Sequence, residues 1–264
     1  MHVWGISEPA LRMGVFVAML VVLVVLEWLR PGPNAPPQRG RRWFANLGLV
    51  TLDTLLVRLL LPAGAVGVAL WVQSRGWGLF HALQWAGWIE FTLSLLLLDV
   101  AIYWQHRVFH VLPWLWRWHR VHHGDATLDA STGVRFHPGE IVLSLGIKTA
   151  LIALLGIGAM AVLVFEVLLS SFSLFTHANV RLPRRLEPAV RVLLVTPEMH
   201  VVHHSTLDDE QRCNYGFHLS CWDRLFGSYL DASRQAPQRL GVDGIDGGDT
   251  WRLDRMLMEP WQRR

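Results

Sequence analysis

The chain has 264 residues, 52% of them hydrophobic and 17% charged, with fourteen tryptophans and a formal charge of +3. So apolar a composition belongs to the membrane class, and so small a charge gives no electrostatic case for nucleic-acid binding. The two cysteines, Cys213 and Cys221, form no CxxC, which argues against a thiolate zinc site, an iron–sulfur site or a disulfide framework. They read as free thiols.

Residues 11–29 are almost wholly apolar and long enough to span a bilayer. No small-residue cleavage pattern follows them, so they read as a retained anchor rather than a signal peptide. Residues 30–42 are rich in Pro, Gly and Arg and read as a non-helical break. A second apolar run covers 46–72, with Asp53 and Arg58 as its only charges and Pro62 and Gly64 placed to kink it. A third, 85–103, leads directly into the cluster His106-Arg107-Val108-Phe109-His110. The apolar stretch 141–177 is too long for one crossing, and Gly156-Ile157-Gly158 marks the turn of a hairpin. Lys148 and Glu166 are its only charges.

Basic residues collect after the first, third and last spans: Arg30, Arg39, Arg41 and Arg42; then Arg107, Arg117, Arg120 and Arg135; then Arg181, Arg184, Arg185 and Arg191. The opposite loops hold little beyond Arg12 and Arg75. Five crossings, or four if one run lies in the interface, therefore place these regions in the cytoplasm. The expected fold is all-α: four to five membrane helices under a cytoplasmic helical cap. The expected division is an anchor over 1–90, a catalytic unit over 91–230 and a tail over 231–264 that packs on the cap or the membrane surface.

Histidine is the informative residue. Eight of thirteen fall in three clusters: His106 and His110; His119, His122 and His123; His200, His203 and His204. On helices, positions three and four apart share a face, so each cluster aims its imidazoles together, and neutral imidazole is the commonest protein metal ligand. Eight exceed what one ion takes and indicate two metals. His137 and His177 fall where spans meet the cap and are further ligand candidates, giving ten. His218 is left ambiguous, and the isolated His2 and His81 read as surface residues. Arg107 stands where an HExxH protease needs glutamate. A transporter would place ligands within the spans, and a haem electron-transfer protein would pair histidines on neighbouring helices; these are the rival readings.

HRVFH, HRVHH and HVVHH, together with RFHPGE, FTHANV, NYG and WDRLFGSY, resemble the fatty acid hydroxylase/sterol desaturase superfamily over roughly residues 91–230. The resemblance implies a di-iron centre held by the ten histidines, with the eight clustered ones carrying catalysis. It also implies O2 as co-substrate and a membrane lipid, acyl or sterol-like, hydroxylated or desaturated at an unactivated C–H bond. Electrons would come from an external ferredoxin- or cytochrome b5-like donor with its reductase, which Arg181, Arg184, Arg185 and Arg191 are placed to dock. An acyl lipid of a bacterial inner membrane is the first expectation. Asp99 and Glu166 are phased to support ligands, with pairing to Lys148 as the alternative.

Overall fold

A computed structural model describes residues 1–32, 39–231, 239–245 and 247–262. A two-stranded ribbon, β1 (His2–Val3) and β2 (Ile6–Ser7), precedes α1 (Glu8–Leu29). Then come α2 (Arg39–Leu60), α3 (Gly64–Arg75), α4 (Leu79–Leu83), α5 (Gly87–Val111), α6 (Pro113–His123), α7 (Pro138–Leu155) and α8 (Ala159–His177). Short helices complete the cap: α9 (Glu187–Leu193), α10 (Pro197–His203), α11 (Asp208–Gln211), α12 (Cys221–Leu225), α13 (Gly247–Thr250) and α14 (Leu253–Met258).

Five helical stretches are long and apolar enough to cross a membrane: Glu8–Leu29, Arg39–Leu83, Gly87–Val111, Pro138–Leu155 and Ala159–His177. At 1.5 Å per residue, the 22-residue α1 is about 33 Å long, the thickness of a bilayer core. Val17, Val21, Leu55, Leu59 and Leu154 are exposed along these helices, as side chains facing lipid must be. Trp4 and Trp88 near one end, and Trp28 and Trp114 near the other, are exposed too, in the manner of interfacial tryptophans. The chain breaks at residues 61–63, where Pro62 falls, and α3 opens on a left-handed Gly64 (φ +63°). At the α7–α8 hairpin Gly156 is left-handed (φ +74°), and a Cβ there would lie 2.6 Å from the Trp77 carbonyl oxygen. No other residue fits that turn.

The expected non-helical break is shorter than the sequence suggests, because α2 already begins at Arg39; residues 33–38 lie outside the described part. Arg42 explains the early start. Its side chain is fully buried, with Nε and Nη2 donating to the two Asp125 oxygens (3.0 and 2.7 Å) and Nη1 to Asp129 (2.8 Å). Asp129 also caps the 3-10 turn Ala130–Val134 by accepting from the Ser131 amide. Asn46 donates to Ser131 Oγ, and the buried Arg135 donates to Asn46 Oδ1. From α1, Glu27 pairs with Arg39 and accepts from the Ala130 and Asn179 amides. This network fastens the cap to the spans. Burial pushes the Asp125 carboxyl up, but Arg42 and Arg135 more than reverse that and hold it below the usual carboxylate range.

The C-terminal segment covers the cap. Met256 packs on Ala45, Leu49 and Val121, while Arg120 and Arg135 donate to the Glu259 and Thr250 carbonyls.

Candidate metal centre

Proline builds the site. Pro113 forces Leu112 into an extended conformation (φ −88°, ψ 117°), which ends α5 and starts α6 in a new direction. The end of α5 and the end of α6 thereby face each other, with the His106 and His119 rings 4.8 Å apart and the His110 and His123 rings 4.6 Å apart. Pro197, at the first position of α10, does the same behind the Thr196 cap. It brings the His203 ring to 4.5 Å from both His106 and His110. His177 is the last residue of α8.

Nine histidines converge into two groups. One holds His106, His110, His119, His123 and His203, the other His122, His177, His200 and His204, with donor atoms in each group within 4.8 Å of one another. The HxxHH spacing explains the division. In α6 the i, i+4 pair His119 and His123 serves the first group while His122 points to the second. In α10 and its cap the i, i+4 pair His200 and His204 serves the second while His203 serves the first. Each HxxHH motif therefore contributes to both groups and ties them together.

Ring orientation is fixed from behind. His106 Nδ1 meets the Tyr215 carbonyl (2.9 Å), His203 Nδ1 that of Cys213 (2.8 Å), His177 Nδ1 that of Ser173 (2.6 Å) and His122 Nδ1 that of Arg135 (3.2 Å). His119 Nδ1 meets Glu140 Oε1 at 2.8 Å. A carbonyl or carboxylate can only accept, so each Nδ1 carries the proton and each Nε2 presents a lone pair inward. Those Nε2 atoms crowd together: His106 to His203 at 2.9 Å, His122 to His177 at 3.0 Å, His177 to His200 at 2.9 Å. Where the tautomers are fixed in this way, as for His106 with His203 and His122 with His177, lone pairs this close repel unless a cation lies between them. Two nitrogens about 2.1 Å from one ion at a right angle are roughly 3 Å apart. Buried Nε2 atoms of His110, His119 and His123 have no hydrogen-bond partner at all. The residues fit a pair of metal ions.

Burial, followed by neighbouring imidazoles, holds His122, His123, His200 and His204 well below the usual histidine range, and His203 down to about 3. They are neutral at pH 7, the state that binds metal.

The tenth sequence candidate, His137, lies outside both groups. Its Nδ1 accepts from the Gly139 amide as the cap of α7, and its Nε2 meets the Leu257 carbonyl at 3.2 Å. Asp99 supports no clustered histidine; it holds His218 Nδ1 (2.5 Å) and Trp222 Nε1 (2.8 Å). Glu166 pairs with Lys148 and Arg12. Sequence reasoning missed Glu140, three residues after His137 and the support of His119. It also missed the clasp that gives NYG and WDRLFGSY their purpose. Asp223 accepts from the Tyr215 and Gly216 amides (2.7 and 2.9 Å) and from Ser228 Oγ (2.7 Å). It thereby holds the loop whose carbonyls orient His106 and His203. Burial raises the Asp223 carboxyl to about 6.

A cavity of about 360 Å3 opens beside the clusters among α1, α2, α5, α7 and α8. His106 and His119 are on its wall, and most of the rest is apolar, including Val50, Val57, Ile102, Val134, Ile141 and Leu169.

Five membrane-length helices, a buried nine-histidine centre and an apolar cavity at its edge define a membrane protein of the histidine-cluster type, with a site that could hold metal. The fatty acid hydroxylase family profile matches residues 91–228, over half of the chain, and the chain belongs to that family. It is 29% identical over 242 residues to the ornithine lipid hydroxylase OlsE of Rhizobium tropici, covering 87% of this chain and 70% of that one. It is 27% identical over 256 residues to the alkylglycerol monooxygenase of Danio rerio, covering 94% and 53%. Human cholesterol 25-hydroxylase is 28% identical over 141 residues, covering 53% and 50%. The chain thus spans about half the length of these two animal relatives. No solved structure matches.

Proposed function

We propose that the protein is an O2-dependent di-iron oxidoreductase that hydroxylates an unactivated C–H bond of a membrane lipid. The observation that carries this is the position of His106 and His119, which belong to the five-histidine group and also wall the apolar cavity. A substrate in the cavity therefore lies against the metal centre. The relatives act on lipids by name, as hydroxylases and monooxygenases, which favours hydroxylation over desaturation.

In this reading the nine histidines hold two irons, which when bound supply the oxidising power that protein side chains lack. The chain does the rest. Glu140 and the carbonyls of Tyr215, Cys213, Arg135 and Ser173 fix the imidazoles, keeping each Nε2 unprotonated and aimed inward. The apolar wall aligns the lipid and excludes water. Residues 91–230 form the catalytic unit on an anchor, 1–90, with the cap in the cytoplasm of a bacterial inner membrane; the basic residues at the cap ends of the spans support this sidedness. Electrons come from a separate ferredoxin- or cytochrome b5-like donor. Arg181, Arg184 and Arg185 are exposed and suit an acidic partner, whereas Arg191 is buried against Glu187 and Asp231 and serves the fold.

The test is iron content and oxygen uptake on anaerobically purified protein with membrane lipid and a reductant, with product mass read by lipid mass spectrometry. About two irons per chain and a gain of one oxygen, both lost in His203→Ala, are expected. Stoichiometric zinc with no uptake under any reductant refutes the proposal.

A further inference from the structure

The cavity is apolar along most of its wall, yet its polar lining is sorted by charge. Near the metal centre stand two acids. Asp53, on α2, is 5% exposed, and its Oδ1 is buried without a hydrogen-bond partner. Glu140 uses Oε1 on His119 and leaves Oε2 buried and likewise unpartnered. Both carboxyl groups line the same cavity, and among the described residues no Lys or Arg pairs with either. Further along the cavity stand Arg12, Arg58 and Lys148. Among the described residues the acids that pair with them are Glu166, with both Lys148 and Arg12, and Glu8, with Arg12. Three cations face two acids, and Arg58 donates a hydrogen bond to the Pro62 carbonyl.

Unpaired like charges facing a largely apolar cavity at membrane depth are costly unless a ligand compensates them. The acidic end calls for a cation and the basic end for an anion. Glu140 and Lys148 are eight residues apart on α7, which is about 12 Å of helix, and Asp53 and Arg58 are about 7.5 Å apart along α2. Both separations suit one polar head rather than two molecules.

Resting on the hydroxylase reading above, we infer that the substrate is an amino lipid with a zwitterionic head. Asp53, with Glu140 Oε2, takes its ammonium beside the metal centre, and Arg58, within the Arg12–Lys148 group, takes its carboxylate or phosphate. Asp53 is then a specificity-determining residue, and oxygen is delivered near the amine-bearing end of the lipid.

The test uses iron-loaded holoenzyme in detergent, with N-palmitoyl-ornithine as probe beside its N-acetylated (side-chain amine capped) derivative. Dissociation constants are read from tryptophan fluorescence, and oxygen gain from mass spectrometry. Capping the amine should weaken binding to the native enzyme on the order of tenfold, as expected for loss of a charged hydrogen bond. In Asp53→Asn the free and capped probes should bind alike, with iron content unchanged. The inference is overturned if the native enzyme binds both probes equally, or if Asp53→Asn weakens both by the same factor. The native comparison stands even where the variant fails to fold. Offering a total polar-lipid extract separates the two levels of the proposal. Oxygen gain confined to amine-free lipids overturns the zwitterion while leaving the hydroxylase, and no gain on any lipid overturns the hydroxylase itself.

Discussion

Replacing Arg42 by Met should damage this protein more than any other change of one surface-typical residue type. The substitution keeps an unbranched apolar stem but removes five donors from a site with no access to water. Asp125 loses both of its guanidinium contacts, and Asp129 loses one of 2.8 Å. Breaking a buried ion pair by removing one partner costs about 3–5 kcal/mol, mostly because the remaining charge is stranded. At about 2–4 °C per kcal/mol for a chain of this size, the detergent-solubilised protein should melt roughly 6–20 °C lower. The origin of that cost can be checked separately. Adding Asp125→Asn to Arg42→Met should restore part of the loss, because it removes one of the stranded charges. Asp125 lies two residues after His123, so iron retention should fall along with stability. Differential scanning fluorimetry and metal analysis read both quantities. A melting point within about 2 °C of native for Arg42→Met, below the shift expected for even 1 kcal/mol, would refute the claim that this pair fastens the cap.

The remaining expectations are narrower. His137→Ala should keep both irons and cost about 1 kcal/mol, the value of a helix cap, whereas His122→Ala should lose metal; equal iron loss in the two variants would make His137 a ligand. Glu140→Gln should weaken metal binding about 10–100-fold, as expected when a ligand's supporting carboxylate is lost, measured by chelator competition. Asp223→Asn puts an amide where two backbone N–H groups need acceptors; it should cost about 1–3 kcal/mol and shift the iron spectrum through His106 and His203, and an unchanged spectrum would detach the clasp from the site. The metal-free protein should lose stability as pH falls below about 6.5. The sign follows from the folded pKa of His203 lying near 3, with those of His122, His123, His200 and His204 also depressed. Between the folded and unfolded values only the unfolded chain takes up these protons, so acid favours unfolding; a melting temperature flat from pH 7 to pH 5 would contradict it.

What the sequence made legible was whatever has a period or a spacing. Membrane helices announce themselves by length and composition, and HxxHH announces imidazoles on one face because 3.6 residues make a turn. The split into two sites was not legible, since positions three and four apart both share a face, and only the fold turns His122 to the second group. Contacts between distant segments leave no such trace. Arg42 looked like the other arginines that follow the first span, and only the fold brings it to Asp125, eighty-three residues on. His137 sat in a histidine-rich context at the right depth, yet with proline next to it the position was already one for a helix cap. Glu140, three residues further along in the same motif, holds His119 from behind instead.

The same distinction bears on substrate choice. The relatives' names cite ornithine lipid, alkylglycerol and cholesterol, so on the proposed reading membership of the family points to the chemistry and not to the molecule oxidised. Selectivity must come from groups that face the cavity without holding metal. Among those, Asp53 and Arg58 are on α2, outside the matched segment 91–228. The helices that read as a simple anchor therefore contribute charged groups to the cavity wall. Exchanging α2 with that of a relative should change which lipid is oxidised while leaving iron content intact, measured by product mass spectrometry on a mixed lipid extract. An exchanged protein that keeps the native lipid preference would return selectivity to the histidine-bearing unit.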